Sequence, residues 1–284
     1  MLPILFSIGG VHVASFSVFL IFAWLVWSFV FWKMLRTQAV EEERIFDLTF
    51  YATLLAIVGG RAGYVLTHWD QFSGDWLATV ALWVAPGLSL YGALIAGLLV
   101  LVYLARRYNV RLGHVLDGLA FAFPAAVAVG EIGALLDGST VGLPTRLPWA
   151  VSLVGIVGKR HPVPVYELVF LVVILVALSF LAGRAEQKKW AYGVLGIWFF
   201  LLFSTAMFVL EFFKESPVYW RLRANQWVLV AIFAETLGAF YVRGGGREVM
   251  RPIIARIRQR IRHGIGELYG RISKRRAGNH TTTS

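Results

Sequence analysis

The sequence contains no cysteine. That excludes disulfides, thiol nucleophiles, thiolate metal sites and haem attachment, and it leaves no thiol in this chain to be lipidated. Charge is scarce as well. Only 15% of the residues are charged, against roughly 25% in a soluble domain. Acid is the scarcer sign, with 16 Asp and Glu against 27 Lys and Arg, a formal net charge of +11. No internal repeat and no low-complexity stretch is evident. Apolar residues fill the space: 58% of the 284 residues are hydrophobic, and the mean hydropathy is +0.69. Such a composition belongs in a bilayer. Many of the 11 Trp, 10 Tyr and 21 Phe lie near the ends of apolar runs, where interfacial anchors sit.

Seven runs are long enough, or nearly so, to cross about 30 Å of hydrocarbon. They lie near 12–33, 47–67, 87–105, 113–136, 163–183, 192–213 and 226–243. The expected fold is an all-α polytopic membrane protein with seven transmembrane helices, in a domain covering 1–243. The first run lacks a basic stretch before it and is too long for a signal h-region, so a retained span is expected and not a cleaved signal peptide. Lys and Arg concentrate in the first, third and fifth connections and after the seventh run. The positive-inside bias then places the N-terminus outside and the C-terminus in the cytoplasm. The basic residues of the fourth and sixth connections (Arg146, Lys159, Arg160, Lys214, Arg221 and Arg223) run against that bias. They are placed to meet an anionic substrate, or they are rim charge.

Residues 244–284 form a second region. Gly244-Gly245-Gly246 makes a hinge, and 247–276 reads as a basic amphipathic helix. Ile254, Ile257, Ile261, Ile265, Leu268 and Ile272 recur at steps of three and four. This suits the anionic inner leaflet, at about 1 kcal/mol per basic residue near the surface. A coiled-coil partner is the alternative. The isoleucine stripe favours lipid over nucleic acid, which is not expected as a partner.

Polar residues inside or beside the runs mark a buried site: Arg61, Tyr91, Asp117, Glu131, Arg160, His161, Glu167, Glu211 and Glu235. Arg61 stands in Ile57-Val58-Gly59-Gly60-Arg61-Ala62-Gly63-Tyr64-Val65. A guanidinium at membrane depth is costly and usually faces a partner, a cavity or a headgroup. The three glycines let another backbone or a ligand come close. An ion pair between Arg61 and one of the carboxylates is the structural alternative, and truncating one partner of such a pair costs about 3–5 kcal/mol. Asp117 lies near a helix start, where a carboxylate favours the dipole. Gly92, Ala93, Ala96 and Gly97 give the third span a small-residue face. From Gly130 to Gly142 the chain ends a span in a glycine-rich polar turn, tolerable at membrane depth only where it lines a cavity. Arg160-His161-Pro162 precedes the fifth span, with Tyr166 and Glu167 one turn into it.

In this order, these runs resemble the prolipoprotein diacylglyceryl transferase family over about residues 5–240. The matching stretches are Phe6-Ser7-Ile8-Gly9, Gly59 to Val65, Gly87-Leu88-Ser89-Leu90-Tyr91-Gly92, Gly130 to Gly142, Arg160-His161-Pro162 with Tyr166-Glu167, and Glu211-Phe212-Phe213-Lys214. The resemblance implies spans around a central lipid-accessible cavity, in the cytoplasmic (inner) membrane of a bacterium. It implies transfer of diacylglyceryl from phosphatidylglycerol to a lipobox cysteine thiol, with release of glycerol phosphate. The implied partners are phosphatidylglycerol or another anionic phospholipid, the signal-peptide region of a prolipoprotein, and the inner leaflet under the tail. Neither metal nor cofactor is expected. The chemistry needs cations on the leaving phosphate and a base for a thiol of unperturbed pKa about 8.5. Carried over by motif, Arg61, Gly92, Gly142, Arg160, Tyr166, Glu167, Glu211 and Lys214 bind substrate, and Tyr91, Glu131 and His161 stand at catalytic or candidate positions.

The chain departs from the family pattern at several polar positions. Tyr91 replaces a histidine, Glu131 an arginine, Ala134 an asparagine, Met207 an arginine, and Phe16 a tyrosine. At an effective dielectric of about 20, each unit of charge at about 4 Å is worth about 4 kcal/mol, so two lost arginines weigh heavily against a phosphate. Tyr91, with an unperturbed pKa of about 10, is a poor base. Either other groups do the work, with Arg61, Arg160 and Lys214 on the phosphate and His161 or Glu131 as base, or the chain is an inactive member that binds anionic lipid or lipoprotein precursors. A transporter or channel is a third reading, with no visible inverted repeat to support it.

Overall fold

The computed structural model describes residues 2–9, 11–74, 76–82 and 84–243. The expected hinge at 244–246 and basic helix at 247–276 lie outside them. The chain begins with an antiparallel hairpin, β1 (Ile4–Ile8) and β2 (Val11–Ala14). It continues through α1 (Ser15–Thr37), α2 (Glu42–Thr67), two short helices α3 (Trp69–Phe72) and α4 (Trp76–Val80), α5 (Leu90–Arg107) and α6 (Leu112–Asp137). A two-residue pair, β3 (Val151–Ser152) and β4 (Lys159–Arg160), precedes α7 (Val163–Gln187). Then come α8 (Val194–Leu210) with a 3-10 turn at Glu211–Phe213, the pair β5 (Val218–Tyr219) and β6 (Leu222–Arg223), and α9 (Ala224–Arg243).

Seven helices among the described residues are long and apolar enough to cross a membrane: α1, α2, α5, α6, α7, α8 with its 3-10 turn, and α9. They correspond to the seven expected runs. The largest shift is in α2, which starts at Glu42, ahead of the expected residue 47. Glu42 and Glu43 occupy its first turn, where acidic side chains complement the helix dipole. Hydropathy registers only the apolar turns that follow. The N-terminal hairpin and the short helices α3 and α4 were not expected; apolar content alone says little about such short elements.

Met1–Ala234 packs as one unit, and a second begins at Glu235. Within the first, α1 lies along α6, α2 along α5, and α7 against both α6 and α8. Phe31, Leu35, Ile45, Leu48, Leu101, Leu104 and Leu119 fill the space between α1, α2, α5 and α6. Lipid tails are as apolar as leucine, so close fit and polar ties decide helix association. The α2–α5 seam shows the close fit. A Cβ on Gly59 would lie 2.7 Å from the Gly92 carbonyl oxygen, and one on Gly63 would lie 3.1 Å from Gly92 Cα. Ser89 N–H closes the seam on the Gly60 carbonyl at 2.8 Å.

Asp117 shows the polar tie. It is buried on α6 and accepts hydrogen bonds from the N–H groups of Gly193 (2.7 Å) and Gly196 (3.0 Å). Its carboxylate therefore caps the start of α8, meeting N–H groups that have no partner within that helix. The sequence suggested that it serves the dipole of its own helix; it serves a neighbour's.

Candidate functional site

The segments that bear the polar residues meet where α6 and α8 end and α5, α7 and α9 begin. Backbone pairing sets their positions. Leu143 N–H bonds to the Phe213 carbonyl (2.8 Å), Glu215 N–H to Val141 (2.8 Å), His161 N–H to Leu143 (3.0 Å) and Thr145 N–H to Lys159 (3.0 Å). Gly142 pairs with Lys214, and Pro144 with Arg160. Segment 141–145 is thus held between 159–161 and 213–215. Gly142 lets the chains approach: a Cβ there would lie 3.0 Å from the His161 carbonyl carbon.

Lys214 is the hub. Its Nζ lies 2.7 Å from Glu167 Oε1 and 3.2 Å from Glu211 Oε2. Burial pulls the Lys214 pKa down, but Glu167 and Glu211 together outweigh it and raise the value above that of an ordinary lysine. Glu211 Oε1 accepts from Asn225 Nδ2 (3.1 Å) and Ser216 Oγ (3.5 Å). Asn225 Oδ1 in turn accepts from the Tyr91 hydroxyl. A continuous chain, Tyr91–Asn225–Glu211–Lys214–Glu167, therefore joins α5, α9, the end of α8 and α7. Glu131 of α6 borders Glu167, and its Oε2 is buried with no hydrogen-bond partner.

Arg160 pairs with Glu215 and reaches the Gly142 carbonyl at 3.4 Å. The His161 Nδ1 lies 3.2 Å from the Tyr166 hydroxyl, which also accepts from Trp149 Nε1 at 2.8 Å. Both rings pack edge-on against Phe213, at 5.2 and 6.0 Å between centroids. Four carboxyls (Glu131, Glu167, Glu211 and Glu215) thus gather around two cations, Lys214 and Arg160.

Arg61 behaves differently. It is 8% exposed and donates to the carbonyls of Ala78 (2.5 Å), Thr79 (2.7 Å), Ala85 (2.8 Å) and Gly87 (3.1 Å). Its guanidinium stacks over Phe72 at 5.0 Å. No carboxylate pairs with it among the described residues, so backbone carbonyls replace the ion pair that the sequence suggested. Arg61 fastens the end of α4 and the loop at 84–87 onto α2.

The structure thus joins Tyr91, Glu131, Glu167, Glu211 and Lys214 in one cluster. Arg160, His161, Tyr166 and Gly142 form the adjoining wall, Gly92 lies in the α2–α5 seam, and Arg61 holds the loop. Sequence reasoning missed Asn225, Ser216, Glu215 and Trp149. Asn225 is neutral and heads an apolar run; the polar Asn225-Gln226 step was its one available signal.

A family model described as prolipoprotein diacylglyceryl transferase matches residues 3–242. The phosphatidylglycerol–prolipoprotein diacylglyceryl transferase of Finegoldia magna is 28% identical over 230 residues, which cover 80% of this chain and 90% of the relative. That of Aeromonas hydrophila is 29% identical over 220 residues, or 75% and 78% of the two chains. That of Geobacter sulfurreducens is 27% identical over 217 residues, or 75% and 82%. The match runs from the first hairpin through the hydrogen-bonded cluster into α9, and the chain belongs to the prolipoprotein diacylglyceryl transferase family.

Proposed function

We propose that this chain transfers a diacylglyceryl group from phosphatidylglycerol to the lipobox cysteine thiol of a prolipoprotein. The observation that carries this reading is the chain from Tyr91 to Glu167. It gathers residues from four separate helical segments at one end of the spans. The thiol sulfur forms a C–S bond to the glyceryl carbon that bears the phosphate. The C–O bond at that carbon breaks, and its electron pair leaves with glycerol phosphate. The thiol proton passes to His161 or Glu131. With Nδ1–H donated to the Tyr166 hydroxyl, Nε2 carries the lone pair that takes the proton.

Arg160 and Lys214 face the phosphate, where negative charge builds up as the bond breaks. Tyr91, Gly92, Gly142, Tyr166, Glu167 and Glu211 shape the headgroup site, and Arg61 acts as a positioning residue through its loop. The Lys and Arg distribution supports an N-terminus outside and a C-terminus in the cytoplasm of a bacterial inner membrane. The site then faces away from the cytoplasm, and the basic tail meets the inner leaflet.

A second reading draws on one observation: carboxyls outnumber the cations, and Lys214 is paired with two of them. In that reading the chain binds anionic lipid or lipoprotein precursors without turnover. The test measures phosphatidylglycerol binding and lipobox-peptide modification together, in wild type and in Arg160→Ala. A transferase modifies the peptide and loses modification in the variant. A wild-type protein that binds the lipid and never modifies the peptide overturns the transferase reading in favour of the second.

A further inference from the structure

Two arginines are buried among the described residues, Arg61 and Arg223. The first has carbonyl partners throughout. Arg223 is 9% exposed, its Nε is buried without a hydrogen-bond partner, and no carboxylate of the described residues pairs with it. Its backbone is fixed. Arg223 N–H donates to Gln226 Oε1 at 2.9 Å, Gln226 Nε2 donates to the Phe208 carbonyl at 3.3 Å, and Arg223 pairs with Val218 across the β5–β6 hairpin. The buried Nε is therefore left without an acceptor, while the terminal nitrogens, which make no hydrogen bond to the described residues, keep the access through which an anion can answer the charge.

Its surroundings suit that anion. Arg223 immediately precedes α9, a helix of 20 residues, and the N-terminal N–H groups and dipole of such a helix favour negative charge. Asn225, two positions on, belongs to the chain that links Tyr91 and Glu211, so Arg223 lies at the border of the candidate site. The other cations there are engaged: Lys214 by Glu167 and Glu211, and Arg160 by Glu215.

We propose that Arg223 and the first turn of α9 bind a phosphate group, that of a phospholipid headgroup, and supply positive charge that Lys214 and Arg160 spend on carboxylates. The choice of a lipid phosphate rests on the proposed function; the anion site itself does not. A guanidinium fork matches two phosphate oxygens at once, which a lysine cannot do.

The test uses the full chain in detergent micelles. Binding of phosphatidylglycerol, of uncharged diacylglycerol and of glycerol phosphate is titrated by tryptophan fluorescence in wild type and Arg223→Gln. The variant is expected to bind phosphatidylglycerol at least about tenfold more weakly, while diacylglycerol binding is unchanged. Equal affinity of the two proteins for both phosphatidylglycerol and glycerol phosphate overturns the proposal. Glycerol phosphate binding that depends on Arg223, without any dependence of phospholipid binding, overturns the lipid assignment in favour of a free phosphate. If Arg223→Gln does not fold, Arg223→Lys takes its place; an intermediate affinity supports the site, and an unchanged one overturns it. Turnover is not read at any point. A chain that binds phosphatidylglycerol through Arg223 and never modifies a peptide would therefore sink the transferase reading and leave this one standing.

Discussion

The α2–α5 side of the molecule and the α6–α9 side treat buried positive charge in opposite ways. On the first side, Arg61 is surrounded by neutral carbonyls. Those dipoles satisfy its donors and leave its net charge intact. On the second side, Lys214 lies between Glu167 and Glu211, and Arg160 against Glu215. There the charge is cancelled locally. The lesson concerns how a site's sign is judged. A basic residue at a motif position does not make a cationic site; its partners decide what a phosphate would meet. The two sides also differ in what joins them, backbone-to-backbone fit at the glycine seam and a chain of polar side chains at the other end.

Substitutions can break this contrast, and Lys214→Met should act most strongly. It strands two nearly buried carboxylates, Glu167 and Glu211, at a cost of about 3–5 kcal/mol, read as a lower unfolding temperature in detergent. The sign with pH follows from the raised Lys214 pKa. In wild type the stabilisation is complete below the unfolded lysine value of about 10.4 and is lost as pH rises through the higher folded value. The gap between wild type and variant should therefore hold at neutral pH and close at strongly alkaline pH.

Gly59→Val tests the other side. Its Cβ would lie 2.7 Å from the Gly92 carbonyl oxygen, so α2 and α5 must part, at about 1–3 kcal/mol. The expected signature is faster proteolysis around the 84–87 loop that Arg61 holds. Asp117→Ala removes the cap of α8 from within α6 and should cost about 0.5–2 kcal/mol, visible as faster hydrogen exchange at Gly193 and Gly196. Arg44→Gln should do least. Arg44 donates to the Tyr108 carbonyl at 2.7 Å and pairs with Glu41 at 2.8 Å, but it is more than a third exposed, and such pairs are worth about 1 kcal/mol or less. A large loss there would mean that the turn between α5 and α6 carries more of the fold than its partners suggest.

The spans were legible because each is one long apolar run, and hydropathy reads such runs directly. Boundaries slipped where charge begins a helix, as at Glu42. The cluster was half legible. Tyr91, Glu131, Glu167, Glu211 and Lys214 stand out as polar groups against apolar surroundings, but their pairing depends on how α5 to α9 assemble. Asn225 is uncharged and stands at the head of its span, marked only by the polar step it makes with Gln226, although it carries the link from Tyr91 to Glu211. The partners of Arg61 could not be foreseen either. Ala78, Thr79, Ala85 and Gly87 contribute only carbonyls, which every residue has, so nothing in their identity marks them.

One reconstitution tests the central claim most directly. The purified chain and the Finegoldia magna relative are placed side by side in phosphatidylglycerol vesicles with the same lipobox peptide, and the peptide is weighed by mass spectrometry. The expected result is a diacylglyceryl mass gain with both proteins, with one glycerol phosphate released per peptide modified. A mass gain with the relative and none with this chain would contradict the transferase account and leave a lipid-binding member of the family.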